Sequence, residues 1–307
     1  MARRRKRTPT WLLVLIVLAV GVGLYLQRRA EQEGVSDAVV VSNENEHAPP
    51  QRERPPERRA PDRRTGGPRD ATVHAALGLP SPASASRPDD YLVSRSQYAI
   101  SYNRDRGIPN WVAWHLERSD LGPADRSQFA PDPELPKGWY RVTPRDYSNS
   151  GFDRGHMVPS ADRSIDSRDN APTFFMTNII PQAPDNNQGP WADLENFCRD
   201  LVRKGNELYI VAGGAGPFST IANGKVSVPA TTWKAILVIP EGENDVARVD
   251  ARARVIAVSM PNTQGIRSRI WTEFLTSVDE IERVTGYDLF SALPDAVESA
   301  VESRVGQ

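Results

Sequence analysis

Cysteine is nearly missing from this chain. Of 307 residues only Cys198 carries a thiol, which excludes an intrachain disulfide and any Cys-rich structural zinc site. Net charge is missing too: 38 Lys and Arg face 39 Asp and Glu, for a formal charge of −1. A histone-like polycation, whose affinity for polyanions rests on overall charge, is thereby excluded. Phe, Trp and Tyr are absent from residues 30–90, a stretch that contains nine of the 26 prolines. Without aromatics it has little apolar surface to offset the entropy of ordering, so a disordered tether is expected there. The tract Gln51-Arg-Glu-Arg-Pro-Pro-Glu-Arg-Arg59 is its most polar part; its arginines read as solvated linker charges.

What is present falls into three segments. Residues 3–7 are all Arg or Lys, and Trp11 to Leu26 follows without a charge. As a helix those sixteen residues cover roughly 24 Å, against a hydrocarbon core of roughly 30 Å. Flanking Thr8, Pro9, Thr10 and Gln27, interfacial Trp11 and Tyr25, and snorkelling Arg28 and Arg29 complete a span. Residues 1–29 are therefore expected to be an uncleaved signal anchor, a single transmembrane helix with the N-terminus cytoplasmic and the rest outside. The competing expectation is a secretory signal cleaved after Ala19-Val20-Gly21, giving a secreted protein. Residues 30–90 form the tether and 91–307 the folded domain. Charge is unevenly shared: residues 1–70 hold 14 basic and 9 acidic side chains, leaving 24 basic and 30 acidic in 71–307. The domain is acidic, so a polyanion would have to enter a local basic groove.

Within the domain, Glu207–Ala212, Trp233–Ile239 and Ala253–Ser259 combine β-branched and apolar residues between Gly, Pro and Asn clusters, and read as strands. Thr173–Asn178, ended by Pro181, reads as a fourth. A helix is expected after Gly189, with Pro190 in its first turn and Trp191, Leu194, Cys198 and Leu201 on one face. Cys198 on that stripe is core rather than a reactive thiol. Ser277 and Glu280 read as a capping box, with Gly286 as the stop. Strands and helices do not alternate strictly, which points to an α+β protein with a largely antiparallel sheet.

The chemistry is concentrated between Asp153 and Glu195. Asp153-Arg154-Gly155-His156 stands just ahead of a strand. Downstream come Thr177-Asn178-Ile-Ile-Pro-Gln182 and Asn187-Gln-Gly-Pro-Trp191-Ala-Asp-Leu-Glu195. Amides are depleted from strands and costly to bury without partners, so their density here implies a polar site. Asn187 just before the predicted helix and Glu195 two turns along it can reach back toward His156. Carboxamide oxygen, carboxylate and water suit a hard cation. His115, beside Trp114 on an apolar strand, reads as structural; His47 and His74 fall in the tether.

These motifs together resemble the DNA/RNA non-specific endonucleases, the family that includes endonuclease G and has a ββα-metal (His-Me finger) site. Asn110–His115, Ala124-Asp125-Arg126, Asp146–Gly151, Val228–Lys234 and Val278–Gly286 extend the resemblance over residues 91–295. It implies a metal-dependent endonuclease giving 5′-phosphorylated products from DNA, RNA or both. It assigns His156 as general base, Asn187 as direct ligand of Mg²⁺ (or of Mn²⁺ in its place), and Glu195 as holder of metal-bound waters. Arg126 and Arg154 become phosphate-binding catalytic residues, and Asn178 and Gln182 orient the site and the substrate. A homodimer is compatible with it. The non-enzymatic alternative is a catalytically weak, membrane-tethered nucleic-acid-binding protein on the same fold; the enzymatic one is a phosphodiesterase for small substrates.

Overall fold

The computed structural model describes residues 71–306. In chain order its strands are β1 (Tyr91–Ser94), β2 (Ala99–Asn103), β3 (Ile108–Leu116), β4 (Asp153–His156), β5 (Ile179–Gln182), β6 (Asn206–Ile221), β7 (Val226–Pro240), β8 (Arg254–Pro261) and β9 (Leu275–Thr276). The α-helices are α1 (Ser167–Asn170), α2 (Pro184–Asn187), α3 (Pro190–Arg203), α4 (Asp245–Arg248), α5 (Val278–Thr285) and α6 (Asp295–Glu302).

The long apolar runs of β6 and β7 make them the centre of the large sheet, whose order is β1-β2-β3-β6-β7-β8-β9. Every adjacent pair is antiparallel. The β6–β7 hairpin pairs from Asn206 opposite Pro240 to Ile221 opposite Val226. Its tip needs left-handed backbone, supplied by Asn223 and Gly224 (φ 53° and 83°). Asn tolerates and Gly favours that region.

Why does β7 read as a continuous apolar run rather than an alternation? Both of its faces are covered. Ile236 and Val238 join one core with Val112, Trp114, Ile210, Leu194 and Cys198. Ala235, Leu237 and Ile239 join a second with Trp111, Tyr209, Val278, Ile281 and Val301. Helix α3 thus lies on the first face, and α5 and α6 on the second. Trp191, Leu194, Cys198 and Leu201 are all buried, as the spacing predicts, and burial pushes the Cys198 thiol up to about 12, an inert core group. The cap at Ser277 is half of the expected box. Its hydroxyl accepts from the Glu280 N–H, but the Glu280 carboxylate turns to Arg283 at 2.6 Å.

Three expectations are corrected. Residues 71–90 are not tether: Leu77 and Ala83 enter the second core, and Asp90 accepts from the Ser81 and Ser101 hydroxyls at 2.8 and 2.6 Å. Small residues pack onto a sheet without any aromatic, which is why composition missed them. His74, buried with them, accepts the backbone N–H of His115. Thr173–Asn178 is two 3₁₀ turns, Ala171–Phe174 and Met176–Asn178, not a strand. Pro172 starts the first turn, and the Thr173 hydroxyl closes it on the Asn170 carbonyl. The strand is the next segment, β5, in which Pro181 sits opposite Arg154. A two-stranded pair tolerates the missing N–H there. Finally, Asp153–His156 is itself a strand, β4, and not a loop ahead of one.

No helix among the described residues is long and apolar enough to cross a membrane. The anchor expected at residues 1–29 and the tether up to residue 70 lie outside the described residues.

Candidate functional site

Strand β4 pairs antiparallel with β5, His156 opposite Ile179 and Asp153 opposite Gln182, and α3 follows. This small β-β-α unit carries the motif residues. Glycine at 155 is dictated by packing. A Cβ there would stand 2.2 Å from Gln182 Oε1 and 2.6 Å from its Cβ, distances no side chain accepts.

Alternation along β4 turns Arg154 and His156 to one side. The imidazole of His156 lies between Phe129 and Phe174, with ring centroids 5.2 and 4.8 Å away. Arg154 sits over Phe129 at 4.5 Å, and Arg126 over Phe174 at 5.2 Å. The expected base and both expected phosphate-binding arginines are therefore assembled through two aromatic rings in a cation–π arrangement. Both arginines are exposed and His156 is half-buried. The imidazole Nε2 is sealed from solvent and has no hydrogen-bond partner among the described residues. Burial first, then Arg126 and Arg154, lower the His156 pKa from 6.5 to about 3. At neutral pH the ring is uncharged.

On its other side β4 holds Asn187. Asp153 Oδ2 accepts from Asn187 Nδ2 at 2.9 Å and from Gln188 Nε2 at 2.7 Å. With its NH₂ committed to a carboxylate, the Asn187 amide has its carbonyl oxygen left as ligand atom, and the contact polarises that oxygen. Helix α2, which ends at Asn187, is itself anchored by buried amides. Asn186 donates to Thr232 Oγ1 and the Pro261 carbonyl at 3.0 and 2.9 Å, and Asn262 bridges the Ala183 N–H and the Pro181 carbonyl at 2.6 and 2.9 Å. Close approach also fixes Gly189, where a Cβ would stand 2.5 Å from the Asp185 carbonyl and 2.8 Å from the Arg267 Cα.

Asn178 and Gln182 stand behind this surface rather than on it. Asn178, fully buried, accepts from the Val158 N–H at 3.0 Å and donates to the Val158 and Thr173 carbonyls, pinning the chain that leaves His156. Gln182, also fully buried, donates to Asn186 Oδ1 at 2.7 Å. Neither reaches a surface that a substrate would touch, which corrects their expected contact with substrate: both are fully buried, Asn178 bonded to backbone and Gln182 to the Asn186 side chain.

Glu195 extends from α3 to Lys234 of β7, 3.7 Å away. Lys234 is sequestered from water, with its ammonium 4.1 Å from the Trp191 ring and 5.5 Å from Trp114. One turn on, Arg199 pairs with Asp162 at 2.7 Å, and Asp162 also accepts from Trp114 Nε1 at 3.1 Å. Burial raises the Glu195 pKa to about 7, while Lys234 and Arg199 oppose the rise and Asp162 adds to it. Sequence reasoning missed Asp153, Asp162, Lys234, Arg199, Phe129 and Phe174 as parts of the site. The Asp of the first motif was the available signal. A lysine or arginine in a strand or helix pattern reads as surface, so the others had none.

The donor set here, one carboxamide oxygen and one carboxylate among cations that bind anions, fits a hard divalent ion with few protein ligands. The cluster of His115, Glu207 and Asp245 is a different matter. His115 Nε2 is 3.1 Å from Glu207, but Arg248 already bridges Glu207 and Asp245. His115 packs at a tilt against Tyr209, on the opposite sheet face from Trp114, and is structural as expected.

Comparison with known proteins agrees with this geometry. Residues 79–296 match the family described as DNA/RNA non-specific endonuclease. A nuclease of Nostoc sp. is 48% identical over 237 residues, covering 76% of this chain and 86% of its own. Nuclease C1 of Cunninghamella echinulata is 34% identical over 221 residues, covering 66% and 84%. The crystal structure of the complex of EndoG with its inhibitor EndoGI superposes with a TM-score of 0.62 at 23% identity, covering 73% of this chain and 92% of that one; that likeness concerns the fold. The match begins at residue 79, in agreement with the ordered packing ahead of Tyr91. The chain belongs to the DNA/RNA non-specific endonuclease family and is a nucleic-acid-hydrolysing enzyme.

Proposed function

We propose that the domain is a Mg²⁺-dependent endonuclease that cuts DNA, RNA or both without regard to sequence and leaves 5′-phosphates. The observation that carries this reading is the imidazole of His156 set between two aromatic rings that each bear an arginine. A scissile phosphate seated on Arg126 and Arg154 would lie against a base that is unprotonated at neutral pH. His156 takes a proton from water as the water oxygen attacks phosphorus. The bond to the 3′ oxygen breaks, that oxygen takes a proton from a neighbouring water to become the 3′ hydroxyl, and the phosphate stays on the 5′ end. Guanidinium forks suit the phosphate oxygens better than an ammonium does. Contacts to backbone phosphates carry no base information, hence the indifference to sequence. Asn187 would hold the cation through its carbonyl oxygen, with Glu195 orienting water beside it. When bound, the ion would neutralise charge developing on the phosphate and on the leaving oxygen.

The test is incubation of the full-length protein with supercoiled plasmid and with RNA, in Mg²⁺, in Mn²⁺ and in EDTA. Nicking and then fragmentation without discrete bands, abolished by EDTA, is expected. Retention of plasmid without cleavage would favour a binding protein. Cleavage of a chromogenic diester but not of plasmid would favour a small-substrate phosphodiesterase. We further propose that residues 1–29 anchor the enzyme with its domain outside the cytoplasm, on a tether ending near residue 70. Protease added to intact cells should release an active domain, and full protection until lysis would refute the topology.

A further inference from the structure

The second core carries an acidic cluster that the nuclease chemistry does not use. Asp279 and Glu282 on α5 and Glu302 at the end of α6 each offer a carboxylate oxygen, all within 4.8 Å of one another. Asp279 is exposed, Glu282 half-buried and Glu302 buried. Glu302 is only 6% exposed, and its Oε1 is sealed from water with no hydrogen-bond partner among the described residues.

Three effects oppose a carboxylate at that position. It is desolvated. It stands at the C-terminal end of α6, where the helix's partial charge is already negative. The charged groups that bear on it are Glu282, Glu298, Asp279 and Asp288, all acidic. The basic side chains on the same elements are turned elsewhere. Arg283 pairs with Glu280 at 2.6 Å, and Arg304 donates to the Ala253 carbonyl at 3.3 Å. Glu282 Oε1 meanwhile accepts the Leu289 N–H at 2.6 Å, which holds its carboxylate in place. A buried, unpartnered acid aimed into a fixed acidic cluster is what a cation would complete.

We infer that Asp279, Glu282 and Glu302 form a calcium site that clamps the C-terminal helix α6 onto α5. Oxygen-only ligands select a hard cation. Carboxylates contributed by two short helices and partly open to water suit the larger, geometrically tolerant Ca²⁺ better than the strict octahedron of Mg²⁺. The site lies on the opposite sheet face from Asn187 and Glu195, so its ion would be separate from the catalytic one.

The experiment is thermal unfolding of the full-length protein, stripped with chelator and titrated with CaCl₂, beside Glu302→Gln, Asp279→Asn and Asn187→Ala. At roughly a hundredfold excess over Kd, calcium should raise the midpoint of the wild type by about 5–10 °C. Asn187→Ala should keep that rise, whereas Glu302→Gln and Asp279→Asn should lose it. In chelator Glu302→Gln should unfold at a higher temperature than wild type, because a repelled acid has been made neutral. A rise lost in Asn187→Ala but kept in Glu302→Gln would place the ion at the catalytic residues and overturn the inference. So would the absence of any rise in the wild type. Should Glu302→Gln not fold, the exposed Asp279→Asn decides in the same way.

Discussion

On the α3 face of the large sheet, buried charges come in opposite pairs: Arg199 meets Asp162 at 2.7 Å, and Lys234 meets Glu195 at 3.7 Å. On the α5–α6 face, Glu302 is as deeply buried but has other acids for neighbours. The first arrangement is complete within the protein, and its cost of desolvation is offset by attraction at short range. The second is incomplete until a proton or a cation arrives. One consequence is that the paired network can hold Glu195 and Trp191 rigidly around Lys234. Groups whose affinity for a metal or a proton matters are left short of partners: His156 Nε2, Asn187 Oδ1 and Glu302.

The sharpest way to break the comparison is at the reacting group. His156→Ala should lower turnover by on the order of 10²–10⁴-fold or more while nucleic-acid binding persists. Asn187→Ala should lose metal affinity, and raised Mg²⁺ should restore part of its activity. Added imidazole should help the first variant and not the second. Metal titration of cleavage, with calorimetry, separates the two. Loss of metal in His156→Ala with retention in Asn187→Ala would reverse their roles. The paired histidine gives the contrast: His115→Gln should leave the metal dependence of cleavage unchanged.

Next in size is the buried network itself. Asp162 is 1% exposed and answers both Arg199 and Trp114 Nε1. Asp162→Ala leaves a guanidinium buried without its partner, at a cost of roughly 3–5 kcal/mol, or a fall in midpoint of roughly 10 °C. Replacing Asp162 and Arg199 together by apolar residues should recover most of that loss. The sign is opposite to that expected for Glu302→Gln in chelator. A loss below about 1 kcal/mol would show that water reaches Arg199.

How much of this was legible in the sequence depends on whether a residue's meaning is local. Helix α3 was, because Pro190 and the stripe Trp191, Leu194, Cys198, Leu201 lie within one window. The central strands were, because two covered faces leave an apolar run. His156, Arg154, Asn187 and Glu195 were named through motifs whose members sit close in sequence. Residues 71–90 were not, since small residues reveal their packing only against a sheet formed by later strands. Lys234 was not, since nothing in Thr-Thr-Trp-Lys-Ala says that its ammonium ends between two tryptophans. The α5–α6 cluster joins residues 279 and 302, each an ordinary surface acid by pattern.

A subtler effect tests the electrostatics around His156. Its pKa of about 3 lies below the ordinary 6.5, with burial the first cause and Arg126 and Arg154 following. Between those values the unfolded chain binds a proton that the folded ring refuses, so this residue's contribution to stability falls as pH falls from 6.5 toward 3. Loss of activity on acidification should accordingly lie below the range of free imidazole. Arg126→Gln removes one of the two cations and should move that limb upward, without reaching 6.5 because burial persists. The pH profile of kcat/KM measures it. An unmoved limb would mean that Arg126 does not act on the ring.

The smallest effect concerns how an acidic domain holds a polyanion at all. Residues 71–307 carry 24 basic and 30 acidic side chains, so affinity has to come from local contacts, and the arginines flanking His156 are exposed for them. Each phosphate contact contributes roughly −0.9 to the log–log dependence of binding on salt with duplex DNA. Arg126→Ala should therefore weaken binding equally for all sequences and flatten the slope by about one. Replacing an exposed arginine outside this surface, such as Arg252, which pairs with Asp250 at 2.9 Å, should leave the slope unchanged. Binding isotherms at several salt concentrations, in EDTA so that no cleavage intervenes, make the measurement. An equal slope for wild type and Arg126→Ala would move the phosphate contact to Arg154 alone. A slope flattened as much by Arg252→Ala would mean that the domain's overall charge, and not this groove, governs the encounter.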